Sequence, residues 1–209
     1  MAILSNYHTH SEFCDGDGSL EEYALSSFHK NMKYLGFSSH APLPFQTTWT
    51  MKKEMFPRYK KTVSQLKEKY AERMEIFLGL EVDYIPHIIS PISPEIQRMD
   101  LDYTIGAIHF LGQLPNGRYW TVDGPLTEFE EGLKHSFGGN IRKALAQYYT
   151  NLNVMVQDYS PDIIGHFDLV KKHNHGNQFF SETEDWYKTL IRASLDIIQQ
   201  SNCILEVNT

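Results

Sequence analysis

The segment Ala2-Ile3-Leu4-Ser5-Asn6-Tyr7-His8-Thr9-His10 is a short apolar run that leads into two histidines. We predict a strand over residues 2–8. The two histidines stand two positions apart, so on an extended backbone both imidazoles project from the same side and can share one metal ion. The segment therefore indicates a strand that ends on a pair of metal ligands.

Short apolar runs and amphipathic segments alternate along the rest of the chain. Predicted strands at residues 34–39, 75–82, 102–110, 163–166 and 203–207 alternate with predicted helices at 19–34, 52–73, 140–159 and 182–201. The first helix has Ser19 as its N-cap and Glu22 at the capping-box position. Residues 112–140 are rich in Gly and Pro, so we predict a long loop there with one helical turn around residues 126–133.

This alternation favours a (β/α) barrel or, failing that, an open doubly wound sheet. Besides the pair at residues 8 and 10, the predicted strands end on His40, Glu81, His109 and His166. A β/α barrel builds its active site at the C-terminal ends of its strands, so this placement favours the barrel. One histidine at a strand end is usually an ordinary core or surface residue. Five such strand ends indicate a metal site, because buried imidazole and carboxylate are costly unless paired or coordinated.

The composition indicates one globular domain of 209 residues, with 41% of them hydrophobic and 22% charged. The net charge of −7 argues against a nucleic-acid surface, and a small-molecule substrate fits better. No apolar stretch approaches the roughly 20 residues of a membrane-spanning helix, and no secretion signal is visible, so we expect a cytoplasmic protein. Cys14 and Cys203 form no metal motif and are expected to be free thiols.

The motifs resemble those of one known family. Several segments of the chain resemble, in the same order, the motifs of the PHP (polymerase and histidinol phosphatase) superfamily. They are His8-Thr9-His10-Ser11, Phe13-Cys14-Asp15-Gly16, Ser39-His40-Ala41-Pro42, Gly79-Leu80-Glu81-Val82-Asp83-Tyr84, His109 and His166. The sequences of these motifs are similar to those of the histidinol-phosphate phosphatase branch, and the similarity runs from residue 7 to the last residue. The resemblance implies an α/β fold, a distorted (β/α)7 TIM-like barrel with three divalent ions, which would be Zn, Fe or Mn.

Carried over by position, the resemblance also implies the ligands of each ion. The first ion would be held by His8, His10 and Glu81, the second by Glu81 as a bridge with His109 and His166, and the third by Asp15 and His40. The family takes two more ligands from an Asp-x-His motif, and the sequence ends at residues 207–209 before any such motif. We therefore expect a single PHP domain over residues 1–209 that lacks its last strand, either as a fragment or as a naturally short homologue.

The implied reaction is hydrolysis of L-histidinol phosphate to L-histidinol and phosphate, a step of histidine biosynthesis. A hydroxide held between two ions would attack phosphorus in line with the ester oxygen. Glu81 would fix the spacing of the ions. Asp168 is a candidate general acid for the leaving oxygen, although an Asp in that position more often caps a turn.

Candidates for substrate recognition lie in segments that follow the strands. They are Asp83, Arg118, Trp120, Arg142, Lys171 and Lys172. Asp83 would receive the substrate ammonium or support a metal ligand. Each cation is alternatively a solvated surface charge, and Trp120 belongs either to an aromatic wall that excludes water from the ions or to a small satellite core.

Two other functions stay open. One is a PHP phosphoesterase that acts on nucleotides or nucleic acid, which should show a basic face with aromatic side chains. The other is a non-catalytic metal-binding homologue, which the missing Asp-x-His motif favours and the intact visible ligands oppose. Metal identity and oligomeric state also stay open. The remaining histidines are not expected to be ligands; they are His29, His87, His135, His173 and His175.

Overall fold

The computed structural model describes residues 4–207, so the first two residues of the strand predicted at 2–8 lie outside the described part. The chain forms two compact units. The first consists of the chain up to Val82 together with Ser93–Ile105, and the second of Asp83–Ile92 together with the chain from Gly106 onward. None of the helices within residues 4–207 is long and apolar enough to cross a membrane.

The first unit combines a set of paired strands with three helices. Its strands are β1 (Ser5–Asn6), β2 (Tyr34–Phe37), β3 (Glu75–Asp83) and the first part of β4 (Tyr103–Ala107), in the order β1-β2-β3-β4. Its helices are α1 (Leu20–His29), α2 (Phe56–Tyr70), which follows a 3₁₀ turn at Lys53–Met55, and α3 (Pro94–Gln97). The pairs β1–β2 and β2–β3 are parallel, with Ser5 opposite Tyr34 and Tyr34 opposite Glu75.

Helix α1 begins where its sequence predicts and ends earlier. The Ser19 hydroxyl accepts a hydrogen bond from the Glu22 N–H at 3.3 Å, and the Glu22 carboxylate accepts one from the Ser19 N–H at 2.8 Å, which confirms the capping box. The helix stops at His29 instead of residue 34 because Asn31 adopts a positive φ of 57°, which no right-handed helix contains.

Tyr103 is the central packing residue of the first unit. Its ring lies over Gly36 of β2 and Gly79 of β3, where a Cβ would stand only 2.3 Å and 2.4 Å from tyrosine atoms. Only glycine therefore fits at these two strand positions. The Tyr103 hydroxyl donates to the Tyr7 carbonyl at 2.5 Å, so this packing also fixes the backbone just before His8.

The second unit has two sets of paired strands and three long helices. The second part of β4 is followed in strand order by β7 (Ile163–Ile164) and β8 (Ile204–Leu205), while β5 (Phe110–Gln113) and β6 (Tyr119–Thr121) form an antiparallel hairpin. The helices are α4 (Leu126–Phe137), α5 (Ile141–Val154), which continues as a π-helical turn at Met155–Tyr159, and α6 (Asp185–Gln199). Short 3₁₀ turns lie at Leu169–Lys171 and His175–Asn177.

The prediction of a long loop at residues 112–140 was wrong. This region contains β6 and the whole of α4, three turns long, instead of a single turn. Trp120 packs on Gly132, where a Cβ would lie 2.2 Å from the indole, and Gly138 ends the helix with a φ of 62°. Gly138, one of the glycines that suggested a loop, is thus a helix cap, and Gly132 lies inside the helix where the Trp120 ring leaves no room for a side chain.

The other predicted elements are present with different bounds. The strand predicted at 102–110 is divided, because β4 ends at Ala107 and Phe110 begins the hairpin strand β5. The strands predicted at 163–166 and 203–207 each shrink to two residues. The helix predicted from Asn140 to about residue 159 is confirmed as α5 and its π-helical turn, and the Asn140 side chain accepts from the Lys143 N–H at 3.2 Å.

Candidate metal centre

Three imidazoles of the first unit surround one carboxylate oxygen. Glu81 Oε2 lies 3.1 Å from His8 Nε2, 2.9 Å from His10 Nε2 and 3.1 Å from His40 Nδ1. The Glu81 side chain, near the end of β3, is only 1% exposed. The sequence predicted that His8, His10, His40 and Glu81 converge at the ends of their strands, and the structure brings these four side chains together.

Asp15 reaches the same group of side chains through a tight turn. The Cys14 and Gly16 N–H groups both donate to the Ser11 carbonyl, at 2.9 Å and 3.1 Å. A Cβ at Gly16 would lie 2.4 Å from the Ser11 nitrogen, so the turn requires glycine there. The turn places Asp15 Oδ1 2.8 Å from His10 Nδ1 and Asp15 Oδ2 3.6 Å from His40 Nε2. We call His8, His10, Asp15, His40 and Glu81 the five-residue cluster.

Backbone and serine hydrogen bonds hold the strand ends of the cluster in register. Ser38 N–H donates to the Thr9 carbonyl at 2.9 Å, and Thr9 N–H donates to the Ser38 hydroxyl at 3.0 Å. On the other side, Ala41 N–H donates to the Glu81 carbonyl at 2.8 Å, next to a parallel bridge between His40 and Glu81. Backbone pairing thus holds His40 beside Glu81, and Thr9, between His8 and His10, is hydrogen-bonded to Ser38.

The donors of the cluster suit a divalent cation. Two triplets, His8 with His10 and Glu81 and His10 with Asp15 and His40, each have ligand atoms within 4.8 Å of one another. A buried carboxylate faced by three imidazoles is unfavourable without positive charge among them. Imidazole with carboxylate is a donor set typical of Zn, Fe or Mn.

Two pKa values show that the cluster favours positive charge. Although burial opposes it, hydrogen bonds with Asp15, Cys14 and Glu81 raise the pKa of His10 to about 12. Burial likewise opposes the shift of Asp15, yet its contacts with His10 and His40 hold the pKa of that carboxyl well below its usual range. The carboxylates of the cluster thus favour a positive charge beside them, which a bound cation would also supply.

The second unit contains a pair of histidines, His109 and His166, which we call the histidine pair. Their ring centroids are 4.9 Å apart at an interplanar angle of 64°. Asp83 Oδ1 accepts hydrogen bonds from His109 Nδ1 at 2.9 Å and from the His109 backbone N–H at 3.2 Å. Asp83 and His109 are both buried, and the contact favours the His109 tautomer that is protonated at Nδ1.

Two residues near the candidate ligands were not predicted. Trp49 lies edge-on to His40, with ring centroids 4.5 Å apart. Glu206 Oε2 accepts a hydrogen bond from the His166 backbone N–H at 3.0 Å. Glu206 follows β8 directly, so the rule that acidic residues at strand ends are candidates would have found it; Trp49, in an irregular segment, carries no such signal.

Trp120 does not offer a surface to a substrate. It is completely buried, its indole N–H donates to the Ser136 hydroxyl at 3.0 Å, and its ring packs edge-on against Phe129 and Phe137. The structure therefore corrects the expectation of substrate contact: Trp120 is a core residue, and it belongs to the large hydrophobic cluster of the second unit instead of the small satellite core that the sequence left open.

Each predicted phosphate-binding cation of the second unit already contacts an acidic residue or a carbonyl. Arg118 pairs with Glu128 at 2.8 Å, Arg142 with Glu184 at 2.7 Å, Lys171 with Asp168 and Glu182 at 2.9 Å each, and Lys172 donates to the Asp123 carbonyl at 2.8 Å. Asp168, the candidate general acid, is thus held in a half-exposed ion pair. Among the other histidines, His173 contacts the Gly124 carbonyl at 2.8 Å.

Parallel strands whose ends carry imidazoles and carboxylates define an α/β protein with a metal-binding site. Comparison with known families agrees: the chain belongs to the PHP domain family, whose model matches residues 6–209. The resemblance predicted from the motifs is confirmed.

Curated relatives are named as phosphatases. The chain is 31% identical over 180 residues to the "Probable histidinol-phosphatase" of Deinococcus radiodurans, covering 84% of this chain and 64% of the relative. It is 28% identical over 217 residues to the "Histidinol-phosphatase" of Bacillus subtilis, covering 97% and 79%. The chain thus spans just under two thirds of the length of the Deinococcus relative.

Solved structures share the fold. A structure from Listeria monocytogenes, assigned as a histidinol phosphatase, matches with a TM-score of 0.78 at 24% identity, covering 98% of this chain and 82% of the other. The histidinol phosphate phosphatase of Lactococcus lactis, solved with Zn, L-histidinol and phosphate, matches with a TM-score of 0.68 at 18% identity, covering 98% and 72%. These matches confirm the predicted α/β fold of the PHP type.

Proposed function

We propose that this chain carries the metal-dependent phosphomonoesterase activity that converts L-histidinol phosphate to L-histidinol and phosphate. The observation that carries the proposal is the five-residue cluster, where a buried Glu81 carboxylate is surrounded by three imidazoles. Relatives named histidinol-phosphatase match most of the chain, and a structure of the same fold binds Zn, L-histidinol and phosphate. The family and the site chemistry thus support the same reaction.

In this proposal each group of residues has its own ion. His8, His10 and Glu81 would hold one ion, Asp15 and His40 another, and the histidine pair a third. When bound, the ions would supply a bridging hydroxide as the nucleophile for phosphorus and would neutralise charge on the phosphoryl oxygens. Zn, Fe and Mn all suit these donors.

The chain's own residues would orient the ligands and the substrate. Asp83, by accepting from His109 Nδ1, keeps Nε2 available as a donor to an ion. Arg142 is the candidate for a phosphate contact, because its side chain is 61% exposed and its guanidinium lies 4.9 Å from the centroid of the Trp186 ring. Asp168 would give a proton to the leaving oxygen only after it leaves its ion pair with Lys171 and takes up a proton, such as the one released by the attacking water.

Hydrolysis of nucleotides or nucleic acid is the competing activity. The net charge of −7 opposes a binding surface for a polyanionic strand. The proposal therefore includes a small phosphate ester as the substrate, no nucleic-acid or membrane partner, and a cytoplasmic location.

The test compares metal content and substrate preference in one set of samples. Hydrolysis of histidinol phosphate, a nucleoside monophosphate and single-stranded DNA is measured by phosphate or nucleotide release, with metal content from plasma mass spectrometry. We expect metal in the preparation and a clear preference for histidinol phosphate. His8→Ala should lose metal and activity together, whereas His29→Ala, an exposed histidine on α1, should lose neither. Hydrolysis of DNA alone, or a preparation without metal, would refute the proposal.

A further inference from the structure

The backbone of His166 is held in an unusual conformation. Its φ is 24°, in the positive region that residues with a side chain rarely occupy, and it directly follows Gly165 at the end of β7. Such a conformation is unfavourable by itself and persists only where surrounding contacts determine it. The question is which contacts do so.

Two side chains bind the peptide groups on either side of His166. The His166 N–H donates to Glu206 Oε2 at 3.0 Å, and the His166 carbonyl accepts from the Tyr148 hydroxyl at 3.3 Å. A hydrogen bond to a carboxylate is the stronger of the two, because the acceptor carries a full charge. Glu206 therefore makes the main contact that is specific to this backbone position.

The position of Glu206 is itself fixed by the strand pairing. Ile164 of β7 lies opposite Leu205 of β8, and the next N–H along, that of Glu206, donates to the Ile164 carbonyl at 3.0 Å. The register of β7 and β8 thus sets the carboxylate beside the peptide nitrogen of His166. Strand pairing alone therefore brings Glu206 to this position.

The same arrangement occurs at the other member of the histidine pair. Asp83 Oδ1 accepts from the His109 backbone N–H at 3.2 Å, as Glu206 Oε2 does from that of His166. Each histidine of the pair is therefore held at its own backbone nitrogen by one carboxylate. With both backbones held, the two rings lie 4.9 Å apart between centroids.

We propose that Glu206 is a positioning residue: its carboxylate holds the His166 peptide in the positive-φ conformation that directs the ring towards His109, and so sets the affinity for the ion held by this pair. The second half of this statement rests on the proposed metal-dependent function; the first half does not.

The first measurement needs no metal. In ¹H–¹⁵N spectra of the metal-free 209-residue chain, the His166 amide proton should lie downfield and exchange slowly, as expected for a hydrogen bond to a carboxylate. Glu206→Ala should move it upfield and speed its exchange, and Glu206→Gln, which keeps an acceptor oxygen, should fall between. Glu130→Ala, an exposed acid on α4, is the control and should leave the signal unchanged. An unchanged His166 signal in Glu206→Ala would overturn the first half.

The second measurement uses Co²⁺ as the probe, followed by its visible absorption. The binding step that is lost in His166→Ala identifies the ion of the histidine pair. Glu206→Ala should weaken that step by about 10- to 100-fold, the usual effect of removing a residue that orients a ligand, with a smaller loss in Glu206→Gln. A step of wild-type affinity in Glu206→Ala would overturn the second half.

The two proposals fail in different ways. If wild type and His166→Ala bind Co²⁺ alike, His166 is not a ligand, and the proposed metal role of the pair is wrong together with the second half of this inference. The amide signal still decides the hydrogen bond in that case. If Glu206→Ala does not fold, Glu206→Gln carries both measurements, because its spectrum and its Co²⁺ affinity should differ from wild type in the same directions.

Discussion

The five-residue cluster and the histidine pair use carboxylates in different ways. In the cluster, Glu81 and Asp15 lie directly against imidazole nitrogens, at 2.8 to 3.1 Å for the closest contacts. At the histidine pair, Asp83 and Glu206 accept hydrogen bonds from backbone N–H groups, and Asp83 also accepts one from the His109 ring nitrogen Nδ1. An acidic residue near the end of a strand can therefore either face an imidazole nitrogen or hold the backbone of a histidine.

The largest effect is expected from the shared carboxylate of the cluster. Glu81→Ala removes the charge that three imidazoles face, so the protein should lose metal and at least about a thousandfold in kcat, since each 1.4 kcal/mol lost in the transition state is tenfold. Metal content and phosphate release measure this. Glu95→Ala, an exposed acid on α3, is the control. Full metal content in Glu81→Ala would mean that the cluster is not a metal site.

A supporting carboxylate should matter less than a ligand. Asp83→Ala removes the acceptor of His109 Nδ1, so the affinity of the corresponding ion should fall by about 10- to 100-fold, and the loss should be smaller in Asp83→Asn. Calorimetric titration with Zn²⁺ measures the affinity, with the exposed Asp196→Ala as the control. An effect as large as that of Glu81→Ala would remove the distinction between ligand and support.

The sequence predicts the members of the five-residue cluster better than it predicts the carboxylates that hold the histidine pair. His8 and His10 are recognisable because period-two spacing at a strand end is a local property, and Glu81 because its strand is a long apolar run. Glu206 escaped prediction as a support because its contact with His166 spans 40 residues and depends on the register of two short strands. Such register is set by tertiary pairing, which a single sequence does not display.

The same limit explains why the loop predicted at residues 112–140 and the predicted end of α1 were wrong, although the fold class was right. Gly132 suggests a break in a helix by its own propensity, yet it lies within α4 because the Trp120 ring occupies the space that a side chain would need. Asn31 ended α1 early through a positive φ that the helical pattern around it does not signal. In both cases a contact or backbone conformation outweighed the local pattern.

The scaffold beneath the cluster offers a test of intermediate size. Gly79→Ala would place a Cβ 2.4 Å from the Tyr103 ring, and overpacking of this kind costs about 1–3 kcal/mol. In a chain of this length the melting temperature should fall by about 2–4 °C per kcal/mol. Calorimetry measures the change, and the double variant Gly79→Ala with Tyr103→Leu should recover part of it. No loss of stability in Gly79→Ala would show that the ring moves aside easily.

The smallest effect is expected from a substitution of Arg142. This variant tests whether a residue of the second unit also contacts the substrate. Because its ion pair with Glu184 is exposed, Arg142→Ala should change the free energy of unfolding by less than about 1 kcal/mol. Loss of a phosphate contact should raise KM for histidinol phosphate about tenfold, as for one charged hydrogen bond, while kcat and metal content stay the same. Arg192→Ala, on the exposed surface of α6, provides the control for the lost charge. Equal KM values for the two variants would show that Arg142 is only a surface charge. The proposed role of the second unit would then be limited to the histidine pair.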